Sequence, residues 1–280
     1  MDKLQKKIRK CKNPLMVNFS LDDAHVPPEY RELQNGYLQY AKAVLAALKD
    51  TVPAVRFSFG SFAVAGSEGL WTLTELIKEA RAQEYYILLD VPEYNAPRSA
   101  ELLAENLFAR WDFDGLVLNP YLGSDGIKPF ADKLKDTEAD LFLVLRTPNR
   151  SAPQIQDLLT GTRLVYTVAA DLAKRLGENS LARCGYSRIG GLGAATSAEC
   201  LQTLRSKYPQ MFLVVDGLDY SGANAKNCSY AFDKLGHGAI VCVESGVLSA
   251  WQEAEGDGVA SALAAAERLQ KNLTRYVDIL

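Results

Sequence analysis

Residues Tyr86–Leu118 read YILLDVPEYNAPRSAELLAENLFARWDFDGLVL. They comprise a short β-rich run ending at Asp90, a loop carrying Pro92 and Pro97, a stretch of helical period over Ala100–Arg110, and a second β-rich run, Gly115–Leu118. A strand, a helix and a strand within roughly 30 residues form a βαβ unit, whose two strands run parallel. The same alternation continues outward. Upstream, Leu15–Phe19 and Ala54–Ser58 read as strands, with Gly36–Leu48 and Leu70–Ala82 as helices. Downstream, Leu141–Leu145, Gly190–Ala194, Phe212–Asp216 and Ala239–Val243 read as strands, with helices over Leu164–Leu176, Ala198–Tyr208, Ala223–Leu235 and Gly258–Leu273. Eight strands with helices between them predict an α/β fold of the (β/α)8 TIM-barrel type, one domain over residues 1–280, rather than an open sheet. The stretch 1–13 carries Lys3, Lys6, Lys7, Arg9, Lys10 and Lys12, but Leu4 and Ile8 stand one helical turn apart. It reads as an amphipathic basic helix covering the bottom of the barrel, its charges solvated.

Composition narrows the function classes. The 280 residues are 48% hydrophobic and 23% charged, with a mean hydropathy of −0.09. That is ample material for a core, and no apolar run is long enough to cross a bilayer. A formal charge of −3 and a pI near 5.6 supply no basic field for nucleic acid or anionic lipid, so neither is an expected partner. Cys11, Cys184, Cys200, Cys228 and Cys242 are scattered without a C-x-x-C pair, which encodes neither a disulfide framework nor a zinc cage. Reduced thiols and a start lacking the apolar core of a signal peptide point to the cytoplasm. His25 and His237 fall in loops at opposite ends of the barrel, and no serine sits in a G-x-S-x-G elbow, so no histidine-based metal site or triad is expected. The run Gly190-Gly191-Leu192-Gly193 allows a phosphate loop, but close packing at a strand entry is the commoner cause. No metal and no cofactor are predicted.

Such barrels keep their chemistry at the C-terminal ends of the strands. The residues there are Ser20 and Asp22; Arg56 and Ser58; Asp90, Glu93 and Asn95; Asn119 and Tyr121; Thr147 and Asn149; Thr196; Asp216, Asp219 and Ser221; Glu244 and Ser245.

Several of these loops together resemble the orotidine 5′-phosphate decarboxylase family, which makes UMP from OMP. Ser20-Leu21-Asp22 looks like the family's G-L-D, and Val55-Arg56-Phe57-Ser58 through Gly66-Ser67-Glu68-Gly69 looks like its V-K-P-Q…G-x-x-G. Asn119-Pro120-Tyr121-Leu122-Gly123-Ser124-Asp125 matches N-P-Y-x-G-x-D, and Leu145-Arg146-Thr147-Pro148-Asn149 with Gln156-Asp157 resembles T-S-N…Q-D. Ala194-Ala195-Thr196, Asp216-Gly217-Leu218-Asp219-Tyr220-Ser221-Gly222 and Glu244-Ser245-Gly246-Val247-Leu248 follow the order of G-A-T, P-G-x-G-x-Q-G and S-R-G-x-L. The segment Asp90-Val91-Pro92-Glu93-Tyr94-Asn95 stands where the family has D-x-K-x-x-D.

The resemblance implies a Lys-Asp-Lys-Asp network at the catalytic positions, and here those positions read Arg56, Asp90, Pro92 and Asn95. Pro92 replaces the lysine that protonates the carbanion at C6 and supplies no ammonium. Arg56 stays protonated and cannot act as the acid. Asn95 lacks the charge that the family contributes across its dimer interface. Asp90 remains, either as a catalytic carboxylate or as a loop cap paired with Arg56. The same resemblance assigns ligand contacts to Asp22, Asn119, Thr147, Asn149, Thr196, Ser221, Gly222 and Ser245, puts Pro148 where a serine meets the base, and aligns Ser245 and Ser221 with the phosphate-binding arginine and glutamine.

Three functions stay open: a homologue that has lost or altered decarboxylation and acts as a binding or interaction protein, with a small molecule at the C-terminal face; an enzyme using Asp90, Glu93, Asp216, Asp219 or Glu244 as acid, base or metal ligand on a non-phosphorylated substrate; and an active carbon–carbon lyase with relocated groups, Lys128 being the nearest lysine. The carboxylates Asp22, Asp90, Glu93, Asp216, Asp219 and Glu244 are expected to ring the pocket with Arg56 as main cation, or else to cap helices and face solvent. A homodimer through the open face, contacting at Tyr94, Asn95, Pro97, Tyr121 and Leu122, is also expected.

Overall fold

A computed structural model describes residues 1–91, 94–254 and 256–280. Its strands are β1 (Leu15–Phe19), β2 (Ala54–Phe57), β3 (Tyr86–Asp90), β4 (Gly115–Leu118), β5 (Asp140–Val144), β6 (Leu159–Thr160), β7 (Arg163–Leu164), β8 (Ile189–Ala194), β9 (Leu213–Asp216) and β10 (Ala239–Val243). Eight of them close into a parallel barrel in the order β1-β10-β9-β8-β5-β4-β3-β2, while β6 and β7 form a small antiparallel hairpin on the β5–β8 crossover. Because helices cover the outside, barrel strands are buried on both faces and read as unbroken apolar runs. Leu15, Met16, Val17 and Phe19 of β1 have no solvent exposure, nor have Ile87, Leu88 and Leu89 of β3.

The predicted single-domain (β/α)8 barrel is the observed fold. Strand limits differ by a residue: the second ends at Phe57, the fifth is Asp140–Val144, the sixth starts at Ile189 and the seventh at Leu213. The helices Gly66–Ala82 and Pro97–Arg110 start earlier than predicted, and Pro97 occupies the first helical turn, where its missing N–H costs nothing. One prediction fails. Of Ala223–Leu235 only Ala225–Ser229 is helical, because Asp233 Oδ1 accepts from the N–H groups of Leu235 and His237 and turns the chain, with Gly236 and Gly238 at positive φ. Conversely, Ser124–Lys133, which the sequence left unassigned, is a helix with Ile127 and Phe130 buried.

Helix Asp2–Cys11 lies at the N-terminal ends of the strands. Leu4 and Ile8 are fully buried, Lys3 pairs with Asp114 just before β4, and Gln5 Oε1 accepts from Gly238 N just before β10 at 3.2 Å. The glycine run in β8 is a packing device: a Cβ on Gly190 would stand 2.4 Å from Phe212 O, and one on Gly191 2.3 Å from Leu145 Cδ1.

Candidate active site at the barrel mouth

The C-terminal ends of β1, β2, β9 and β10 enclose a cavity of about 570 Å³. Register sets its floor. Asn18 of β1 is paired with Arg56 of β2, so both side chains rise at the same level inside the mouth. Arg56, only 11% exposed, makes a bidentate pair with Asp90, Nε to Oδ1 at 2.9 Å and Nη2 to Oδ2 at 2.8 Å, and its Nη1 lies 3.1 Å from Asp216 Oδ1. Fork geometry of this kind is the strongest guanidinium–carboxylate arrangement. Burial disfavours the Arg56 charge, but Asp90 and Asp216 outweigh it and hold the guanidinium protonated. Burial also pushes the Asp90 carboxyl above the ordinary range, against the pull of Arg56.

Glu244, just past β10, anchors a second network. Its Oε2 accepts from Asn18 Nδ2 at 2.7 Å, and its Oε1 accepts from the Ser20 hydroxyl and lies 3.3 Å from His25 Nε2. The other ring nitrogen of His25 is 2.8 Å from Ser249 Oγ. Burial would raise the Glu244 carboxyl, but the donors His25, Ser20 and Asn18 bring it below its ordinary value.

Asp219 forms the third. Its Oδ2 accepts the Glu244 N–H at 2.6 Å and lies 3.3 Å from Ser245 Oγ. Gly246 is needed there, since a Cβ would stand 2.7 Å from Asp219 Oδ1. Burial raises the Asp219 carboxyl, against these hydrogen bonds.

The structure thus brings Arg56, Asp22, Asp216, Asp219, Glu244 and Ser245 to one cavity, with Asp90 reaching it through Arg56. Asp22 lines it from an exposed loop, where its Oδ1 also caps Ala24 N at 2.8 Å. Other sequence candidates go elsewhere. Asn119 and Thr147 line a separate cavity beside the hairpin, where Thr147 is bonded to Gln156. Asn149 takes the Thr147 hydroxyl at 2.6 Å, Thr196 donates to Pro148 O at 3.3 Å, and Asn95, Ser221 and Gly222 are exposed. Lys128 is exposed on helix Ser124–Lys133, outside the mouth. Pro92 and Glu93 lie outside the described residues. His25, passed over as a site residue in the sequence, is 6% exposed and hydrogen-bonded at the mouth, while His237 is at the other end, as its position before β10 required. Among the described residues no group of three or more His, Cys, Asp or Glu side chains is placed to hold a metal ion.

No family model matches the chain. Known proteins do. It is 26% identical over 261 residues to the orotidine 5′-phosphate decarboxylase of Clostridium novyi, covering 91% of this chain and 90% of that one. It is 28% identical over 212 residues to that of Rhodopirellula baltica, covering 73% and 70%. The chain is a relative of orotidine 5′-phosphate decarboxylase. The barrel agrees: the OMP decarboxylase structure of Leishmania donovani superposes with a TM-score of 0.77 at 22% identity, covering 98% of this chain and 97% of that one, which supports the fold. Against that kinship, the described lining of the mouth has one arginine and several carboxylates where the OMP decarboxylase resemblance implies two lysines.

Proposed function

We propose that this relative of orotidine 5′-phosphate decarboxylase has lost the conversion of OMP to UMP and holds a small, non-phosphorylated molecule at the barrel mouth. The observation that carries the reading is the Asp219 carboxylate. Barrels of this class commonly seat a phosphate where the loops after the seventh and eighth strands meet the N-terminus of a short helix. In this chain those loops follow β9 and β10, and Asp219 already takes the Glu244 N–H at 2.6 Å beside the short helix Ser245–Leu248. A phosphate dianion arriving there would meet Asp216, Asp219 and Glu244 before it met any unpaired cation. The charge of Arg56 is spent on Asp90 and Asp216, and a guanidinium does not release a proton to a carbanion at ordinary pH.

A second reading draws on His25. The Ser20–Glu244–His25–Ser249 chain puts a carboxylate and an imidazole on the mouth wall, which suits proton transfer on a substrate of different chemistry.

Incubating the purified protein with OMP and following the ultraviolet change on decarboxylation tests the main reading. No conversion above background is expected; turnover near the enzyme median of about 10 per second would overturn it. We also place the protein in the cytoplasm and pair it as a homodimer through the open face. Tyr121, 87% exposed, supports that interface, whereas Tyr94 turns its hydroxyl to Gly126 O at 3.0 Å and packs on Phe130. Light scattering should give about twice the 30.7 kDa chain mass, and a monomer at micromolar concentration would remove the interface.

A further inference from the structure

Beside the mouth lies the larger cavity, about 750 Å³, that Asn119 and Thr147 line. One wall is the helix Val165–Gly177. Tyr166, Ala170, Leu172 and Ala173 of that helix are buried, and Leu172 together with the partly exposed Val165, Val168 and Ala169, three or four positions apart, lines the cavity. An apolar stripe at that spacing ordinarily meets a core. Here Val165 and Val168 stay partly exposed toward the open volume, with Ile155 at 60% exposure on the same lining.

The polar groups on the lining differ in what they have left to offer. Gln156 is occupied by Thr147, its Oε1 accepting the backbone N–H at 2.8 Å and its Nε2 donating to the hydroxyl at 2.9 Å. Asp171 accepts from Tyr208 OH at 2.6 Å and from Arg163 Nη1 at 3.2 Å. Arg175, one turn beyond Leu172, has no hydrogen bond or ion pair among the described residues. Arg163 and Arg175 against Asp171 leave this lining one net positive charge, two minus one. The described lining of the mouth, with Arg56 against Asp22, Asp216, Asp219 and Glu244, is three net negative, one minus four.

We infer that this cavity binds a small amphipathic acid, its aliphatic or aromatic body on the Val165–Leu172 stripe and its carboxylate on Arg175. Apolar lining with a few convergent polar groups is the usual constitution of a small-molecule site, and a guanidinium without a partner recognises a carboxylate by a charge-assisted, bidentate pair. An amine on the same body would face a like charge. The assignment does not depend on what the mouth does.

Octanoate and octylamine titrated calorimetrically into the full chain test it, with light scattering on the same sample. Octanoate should bind saturably and octylamine should not. Arg175→Glu should weaken octanoate by about tenfold or more, Arg175→Gln should fall between, and Val168→Trp should weaken binding by covering the stripe, each variant melting like the parent. Equal binding of octylamine, or unchanged octanoate affinity in Arg175→Glu, overturns the assignment. So does absence of octanoate binding, whatever the oligomeric state.

Discussion

Arg56 stands between Asp90 and Asp216 with little access to water, so three strands fix the partners of one charge. Removing the cation from such a cluster leaves two partly buried carboxylates, each 24% exposed, uncompensated beside one another, which is more costly than never having had the pair. Arg56→Met should therefore lower stability by about 1–3 kcal/mol in urea denaturation, between the values for exposed and fully buried pairs, and an unchanged stability would contradict this. Glu244 gives a pH test. Its donors hold the folded-state carboxyl below the ordinary value of 4.5, so the ionised form stabilises the fold above pH 4.5, and that contribution disappears as pH falls through the lowered value. Glu244→Gln, which cannot ionise, should be less stable than the parent at neutral pH, and the gap should narrow below pH 4.5; a gap constant down to about pH 3 would contradict this. At this scale the sequence showed which residues end the strands and not which ones touch. His25 was legible as a mouth-loop residue, but its partner Glu244 lies 219 positions away, and no local pattern links them.

Elements buried on both faces were the easiest to read, because β4 and β10 are unbroken apolar runs and β1 and β3 each carry a single polar residue, Asn18 and Asp90, and the limits of all four agree with the sequence reading. Helix Gly36–Leu48 agrees to the residue for a related cause: its buried face, with Tyr37, Leu38, Ala41, Val44, Leu45 and Leu48, recurs at helical spacing. Two helices show where periodicity stops deciding. Ser124–Lys133 has Pro129 in its interior, which removes a donor and crowds the preceding turn, yet buried Ile127 and Phe130 hold it to the barrel. Ala223–Leu235 has enough apolar residues for a helix, but side-chain capping by Asp233 offers the backbone a turn instead. The chemistry of the mouth depends on such short pieces, since Ser245–Leu248 is one turn long and Asp219 sits in a loop.

The closed barrel follows from counting strands, and the placement of Arg56, Asp216, Asp219 and Glu244 around one opening follows from the rule that strand ends converge there. The division of the top into a negative mouth and a neighbouring apolar cavity was not legible. It depends on the β6–β7 hairpin and the helix Val165–Gly177, which line the second cavity together with Asn119 and Thr147, whereas the mouth is lined from the ends of β1, β2, β9 and β10. The proposed function rests on that mouth refusing a nucleotide phosphate, with Asp219 on the Glu244 N–H and Arg56 committed to two carboxylates. Isothermal titration of UMP into the wild-type protein measures this directly. No saturable binding is predicted up to about 1 mM; a dissociation constant in the micromolar range or tighter, competed by inorganic phosphate, would contradict it.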